Sequence, residues 1–302
     1  MPLTYCPIPL AFGMLMLICA RVGAALLCCS VLLPGAARAE GIDTEHIFAF
    51  MIGADVGDVG DRELQSQSTG RFSKNEGRYR ALEQEIELEF VPAKNFRIEL
   101  GGGFSAHDIN GVPDFEDRRQ LALQGVSLDL RYKVMDRQSS PFGLTFAAVG
   151  HADRIDEATA EVVRNYGTEL TVAFDRDLIP NFLIAALNFS YQPEWTRVVA
   201  TGAAEQDSTI GAAFAVMAQV RPGFLLGGEA RYLRRYDGIG LDQLSGQAVF
   251  IGPTAYFQLS ERSRLTVAWS AQAWGRSDQS PHTLDLVNFE RHQARVVFGV
   301  NF

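Results

Sequence analysis

From Arg291 to the end of the chain, His292, Ala294, Val296, Phe298, Val300 and Phe302 alternate with Arg291, Gln293, Arg295, Val297, Gly299 and Asn301. A strict period of two sends successive side chains to opposite faces, so the chain closes on a β-strand whose last residue is aromatic. The same alternation recurs upstream. It predicts segments at His46–Ala54, Ala81–Val91, Phe96–Ala106, Leu121–Val134, Phe142–Gly150 and Asn165–Asp175, and again at Phe182–Gln192, Thr209–Val220, Phe224–Tyr236, Ala248–Leu259, Leu265–Gly275 and Glu290–Phe302. Short connections rich in turn formers, such as Arg221-Pro222-Gly223, take turns with longer polar ones, of which Asp55–Arg80 is the longest.

This ending resembles the closing strand of Gram-negative outer-membrane β-barrels, in which a C-terminal Phe and alternating apolar residues form the assembly signal. The resemblance implies that Phe298, Val300 and Phe302 are read by the barrel assembly machinery. It also implies an outer-membrane location, in contact with lipid and lipopolysaccharide. The expected fold is all-β: a single antiparallel transmembrane barrel of about 12 strands, with 10 or 14 as alternatives. Short turns would then face the periplasm and longer loops the exterior. Aromatics at both ends of successive segments, Phe90 and Phe96 among them, read as interfacial girdles. The competing reading is the core of a secreted β-sandwich.

The other end of the chain supplies the address. Arg21, the apolar run Val22–Leu33 and Ala37-Arg38-Ala39 fit a signal peptide over residues 1–39, cleaved before Glu40, with the barrel over 40–302. A transmembrane anchor and a lipoprotein attached through Cys28 or Cys29 are the alternatives. All four cysteines, Cys6, Cys19, Cys28 and Cys29, lie in that leader, so the mature chain has no thiol for a nucleophile, metal ligand or disulfide. Losing Arg21 and Arg38 takes the formal charge from -9 to -11, which leaves no electrostatic footprint for nucleic acid. A mean hydropathy near zero is too low for a helical membrane protein and ordinary for a barrel.

Because lipid cannot face carboxylates, Glu83, Glu85, Glu87 and Glu89 are expected to line the lumen. Arg97, Glu99, Asp129, Arg131, Glu169, Glu229, Arg231, Arg291 and Arg295 join them. The mixture of signs favours a salt-bridged, partly filled interior. Closure would bring Arg291 and Arg295 opposite the glutamates across a first strand presenting Ala49, Met51 and Gly53 inward. Gly101-Gly102-Gly103 sits inside a strand with no helix after it, which fits a bend or close approach better than a phosphate loop. The five histidines read as scattered and solvated, with no metal, no cofactor and no histidine paired with Ser or Asp at matching depth. The expected function is a narrow channel passing small polar solutes passively or with weak selectivity. A closed structural or surface-binding barrel acting through its loops is the alternative and an outer-membrane enzyme the third. The solute is left open.

Overall fold

A computed structural model describes residues 41–302, so the expected signal segment lies outside the described residues. Twelve strands form one closed antiparallel barrel: β1 (Arg62–Phe72), β2 (Arg78–Ala93), β3 (Phe96–Asn110), β4 (Arg118–Met135), β5 (Gly143–Ile155), β6 (Val162–Ile179), β7 (Leu183–Val198), β8 (Ala204–Arg221), β9 (Phe224–Asp237), β10 (Gln243–Gln258), β11 (Ser263–Ser277) and β12 (His292–Asn301). Each strand pairs with its chain neighbours, and β1 closes against β12, with Leu64 opposite Val300 and Gly70 opposite Ala294. Among the described residues no strand edge remains unpaired, which removes the main route by which sheets associate.

The period of two decides which residues meet which environment. On β2, Leu82, Ile86 and Leu88 are exposed on the outer face while Glu83, Glu85, Glu87 and Glu89 turn inward. Leu128, Leu130 and Tyr132 on β4, Leu187 and Phe189 on β7, and Val296 and Phe298 on β12 continue the apolar outer surface. Such a belt around a polar interior is the pattern lipid imposes on a barrel. In β4 the phase slips where Leu121 and Leu123, then Val126 and Leu128, are exposed, with Gln124 buried between them. A register shift between Gly102 and Phe104 on β3 absorbs the slip, as bulges do.

Two sequence expectations are corrected. His46–Ala54 is not a strand, and the first strand lies inside what reads as the longest loop, at Arg62–Phe72. Most long connections are also shorter than expected, because polar stretches such as Gln192–Val198 and Ala204–Ser208 continue the strand ladder beyond the apolar belt. Backbone pairing holds them in the sheet whatever their polarity. Among the described residues only 278–291 remains a long connection.

The barrel's apolar core lies inside it. Ile42, Ile47, Phe48 and Met51 pack against Ile184 and Ala186 of β7, Ala215 and Met217 of β8 and Leu225 of β9. The stretch 41–61 ahead of β1 folds into the lumen from the end that carries the short turns and the C-terminus. It reaches mid-height near Phe50 and returns to enter β1.

Candidate functional site

The lumen is a cavity of about 480 Å³ bounded on one side by this inserted segment. Each anchor of the segment answers a backbone polar group that would otherwise be buried unpaired. At its tip the Glu229 carboxylate accepts the Ala49 and Phe50 N–H groups at 2.8 and 2.9 Å and the Thr254 hydroxyl at 2.7 Å. Arg295 donates to the Ala49 carbonyl at 2.9 Å and to the Thr69 hydroxyl at 2.9 Å. The Phe50 ring lies between two guanidinium groups, 4.0 Å from Arg231 and 4.9 Å from Arg295, an arrangement its quadrupole favours. Asn188 meets both backbone groups of Ile52, accepting from its N–H at 2.8 Å and donating to its carbonyl at 3.0 Å, as a neighbouring strand would.

At the neck the two arms of the segment touch. A Cβ on Gly53 would stand 2.0 Å from the Thr44 carbonyl oxygen, so only glycine allows this crossing. Arg137, from the β4–β5 turn, binds the Asp55 carboxylate at 2.5 Å, the Thr44 hydroxyl at 3.1 Å and the Asp175 carboxylate at 3.3 Å. Asp175 also accepts the Ala54 N–H at 2.9 Å. Burial pushes the Asp55 carboxyl up, but Arg137 and the Thr44 N–H outweigh it and hold the group below its usual value. A carboxyl with a depressed folded value stabilises above its unfolded value, about 3.9, and loses that contribution as pH falls through the folded one. The neck should therefore hold at neutral pH and loosen as the pH falls below about 4, through the folded value of Asp55. Single-barrel conductance above and below that pH checks this.

Charge in the cavity is unevenly placed. Ten carboxylates and six guanidinium groups line it. Arg231, Arg264, Arg295 and Arg71 lie on the contiguous arc from β9 through β12 to β1. Glu83, Glu85 and Glu87 on β2, Asp153 on β5, Glu169 on β6 and Glu194 on β7 face them. Glu99, Asp129, Arg97 and Arg131 also line the cavity, whereas Glu89 lies buried in the wall at the short-turn end and Glu229 under the tip of the segment. Arg291 is a correction: it precedes β12 and is exposed. Arg295 makes no ion pair with the glutamates either, because the intervening strand is β1 with Gln65, Gln67 and Thr69 inward rather than small residues. Its partners are Thr69 and Ala49. The ladder is held locally instead: Arg71 meets Glu83 at 3.2 Å, and Glu85 reaches over Gly101 to the Ser127 hydroxyl at 2.6 Å. A Cβ on Gly101 would fall 2.1 Å from that hydroxyl, which accounts for the first glycine of the triplet. Phe298 and Phe302 lie on the exposed outer face at the end of the seam, with Val300 half-buried beside them.

The histidines are not uniformly solvated. His46 is mostly buried beside three carboxylates. His107 is buried with Nε2 3.0 Å from the Glu157 carbonyl, and His151 Nδ1 meets Asp153 at 2.6 Å. The last two residues are an i, i+2 pair facing inward on β5, a spacing legible in sequence once the strand is extended past Gly150. The pair orients an imidazole base but supplies no nucleophile. At the far end the 278–291 connection folds inward: Phe289 packs on Phe250, and Lys74 donates to the Val287 and Phe289 carbonyls at 3.0 Å each.

Residues 40–302 match the model of DUF6662, described as a family of unknown function. The chain belongs to the DUF6662 family. No curated protein matches it. Among solved structures, this DUF6662 barrel is similar to the COG4313 outer membrane channel from Pseudomonas putida F1, with a TM-score of 0.55 and 10% identity over 82% of this chain and 97% of that one. It is more distantly similar to the translocator domain of the autotransporter NalP from Neisseria meningitidis, with a TM-score of 0.49 and 15% identity over 82% and 91% of the two chains. The first likeness places the fold among outer-membrane β-barrels.

Proposed function

We propose that this barrel is an outer-membrane channel for small polar solutes, held closed by its own segment 41–61. The observation that carries the reading is the way the lumen is blocked. The wall is complete and charged, and the obstruction is a separable stretch of chain seated by side-chain anchors and a small apolar patch rather than by strand pairing. Twelve strands enclose an interior wider than the side-chain-filled eight-stranded barrels and narrower than open porins. With the short turns facing the periplasm, the segment enters from that side. An excess of carboxylates over guanidinium groups favours cations in the opened path.

The test is conductance in planar bilayers of the full chain and of a chain lacking residues 41–55. The full chain should pass little current, while the truncated one conducts at least tenfold more, with cation preference. The second reading, a closed barrel working through its loops, draws on the inward-folded 278–291 connection and on Arg71, which ties Glu157 and Glu290 across the mouth. A truncated chain that keeps the heat-modifiable mobility of a folded barrel yet conducts no better than the full one would sink the channel and leave that second reading.

A further inference from the structure

Where the inserted segment passes the short-turn end of β2, three potential metal ligands converge, with Glu63, whose carboxylate is also held by Arg264, beside them. His46 Nε2 lies 3.6 Å from Glu45 Oε2, 3.6 Å from Glu89 Oε2 and 3.8 Å from Glu63 Oε1. One donor atom each from Glu45, His46 and Glu89 falls within 4.8 Å of the others. These separations are too long for hydrogen bonds to the imidazole. They are close to the edge of a tetrahedron around a zinc ion: bonds of about 2.1 Å place neighbouring ligands about 3.4 Å apart.

Two further features point to a cation. Glu89 is 3% exposed, and its Oε2, aimed at His46, accepts no hydrogen bond. Arg97 Nη1 stands 3.4 Å from that oxygen but makes its closer contacts with Glu45 at 2.8 Å and, through Nη2, with Glu99 at 2.6 Å. The charges of the cluster also fail to cancel. Glu45, Glu63, Glu89, Glu99 and Asp129 share three guanidinium groups: those of Arg97, Arg131 and Arg264. With all five carboxyls ionised the excess would be two negative charges in a buried place, where uncompensated charge is costly and a bound divalent ion would offset it.

We propose that Glu45, His46 and Glu89, with Glu63 as fourth ligand, bind a divalent transition-metal ion of the zinc type. One imidazole with three carboxylates suits zinc better than magnesium or calcium, which take all-oxygen shells. Glu45 and His46 belong to the inserted segment and Glu63 and Glu89 to the wall, so the ion would pin one to the other. In that sense the inference deepens the channel reading, since the metal would set how firmly the closed state holds.

The test uses the purified full-length barrel, stripped with a chelator and titrated with zinc by calorimetry. One equivalent should bind, with affinity reduced at least tenfold in His46→Gln and in Glu89→Gln and unchanged in His151→Gln. Retained affinity in either of the first two variants, or no stoichiometric binding by the parent, overturns the proposal. His46→Gln alters only the inserted segment, so it reports on the site even where Glu89→Gln impairs folding. Because the readout is binding rather than current, failure of the site and failure of the channel reading are separable.

Discussion

Replacing Arg137 by Met should release the inserted segment and raise conductance to the level of the chain lacking 41–55. The Asp175 carboxylate is fully buried, and Arg137 is the cation that meets both it and Asp55. Removing one member of a buried ion pair strands the other at a cost of roughly 3–5 kcal/mol. At about 1.4 kcal/mol per factor of ten, that shifts the closed-to-open ratio by some hundreds to thousands. Arg137 stands in the β4–β5 turn rather than in a strand, so the barrel itself should keep its heat-modifiable mobility. Conductance unchanged from the parent would show that the neck is not what holds the segment.

The second large effect belongs to the tip. Glu229→Leu keeps the bulk but leaves the Ala49 and Phe50 N–H groups and the Thr254 hydroxyl without the acceptor they share. Each buried donor left unpaired costs about 1–3 kcal/mol, so the two N–H groups of the segment together should lose roughly 2–6 kcal/mol in seating. Every cysteine of the chain precedes residue 40, and a single reporter at Phe48→Cys therefore reads the segment alone. Phe48 is buried in the apolar cluster, and its cysteine should react slowly with a maleimide in the parent and at least tenfold faster beside Glu229→Leu. Equal rates would assign the tip to packing rather than to the carboxylate.

Why the barrel was legible and its contents were not follows from particular residues. On β2 one face is charged and the other, apart from Gln84, is apolar, so lipid and water sort them without help from the rest of the fold. The stretch His46–Ala54 reads as a strand because it is almost wholly apolar, yet from Ile47 on both of its phases are apolar, which fits a segment enclosed on all sides better than one facing lipid. The true first strand hides because its outer face carries Ser66, Ser68 and Gly70. There Gln84 on the neighbouring strand donates to Ser66 Oγ at 3.0 Å and accepts from Ser68, which satisfies polar groups that lipid would not. A usable signal lay elsewhere. Leu183–Leu187 and Ala212–Ala218 are apolar in both phases, so the inner face of β7 and β8 needs an apolar cover, and Ile47, Phe48 and Met51 provide it. The neck and the His46 cluster join residues far apart in sequence, and no local spacing announces them.

The position of residues 41–61 directly ahead of β1 also bears on how the barrel is made. β1 supplies one edge of the seam and β12 the other, joining residues 226 positions apart at Thr69 and Arg295. Arg295 on β12 and Thr266 on β11 belong to the segment's seat, so that seat is complete only when the last strands arrive. A sheet that curls around a segment already lying on its inner face needs no threading. A barrel that sealed while empty would have to admit Phe48 and Phe50 afterwards through the narrow end guarded by Arg137. Late, long-range closure is the slow event in such topologies, and a seat built from β11 and β12 would be completed in the same step as the wall. On the channel reading, a barrel made in this way would be shut from the moment it closes, and opening would be a separate, later event.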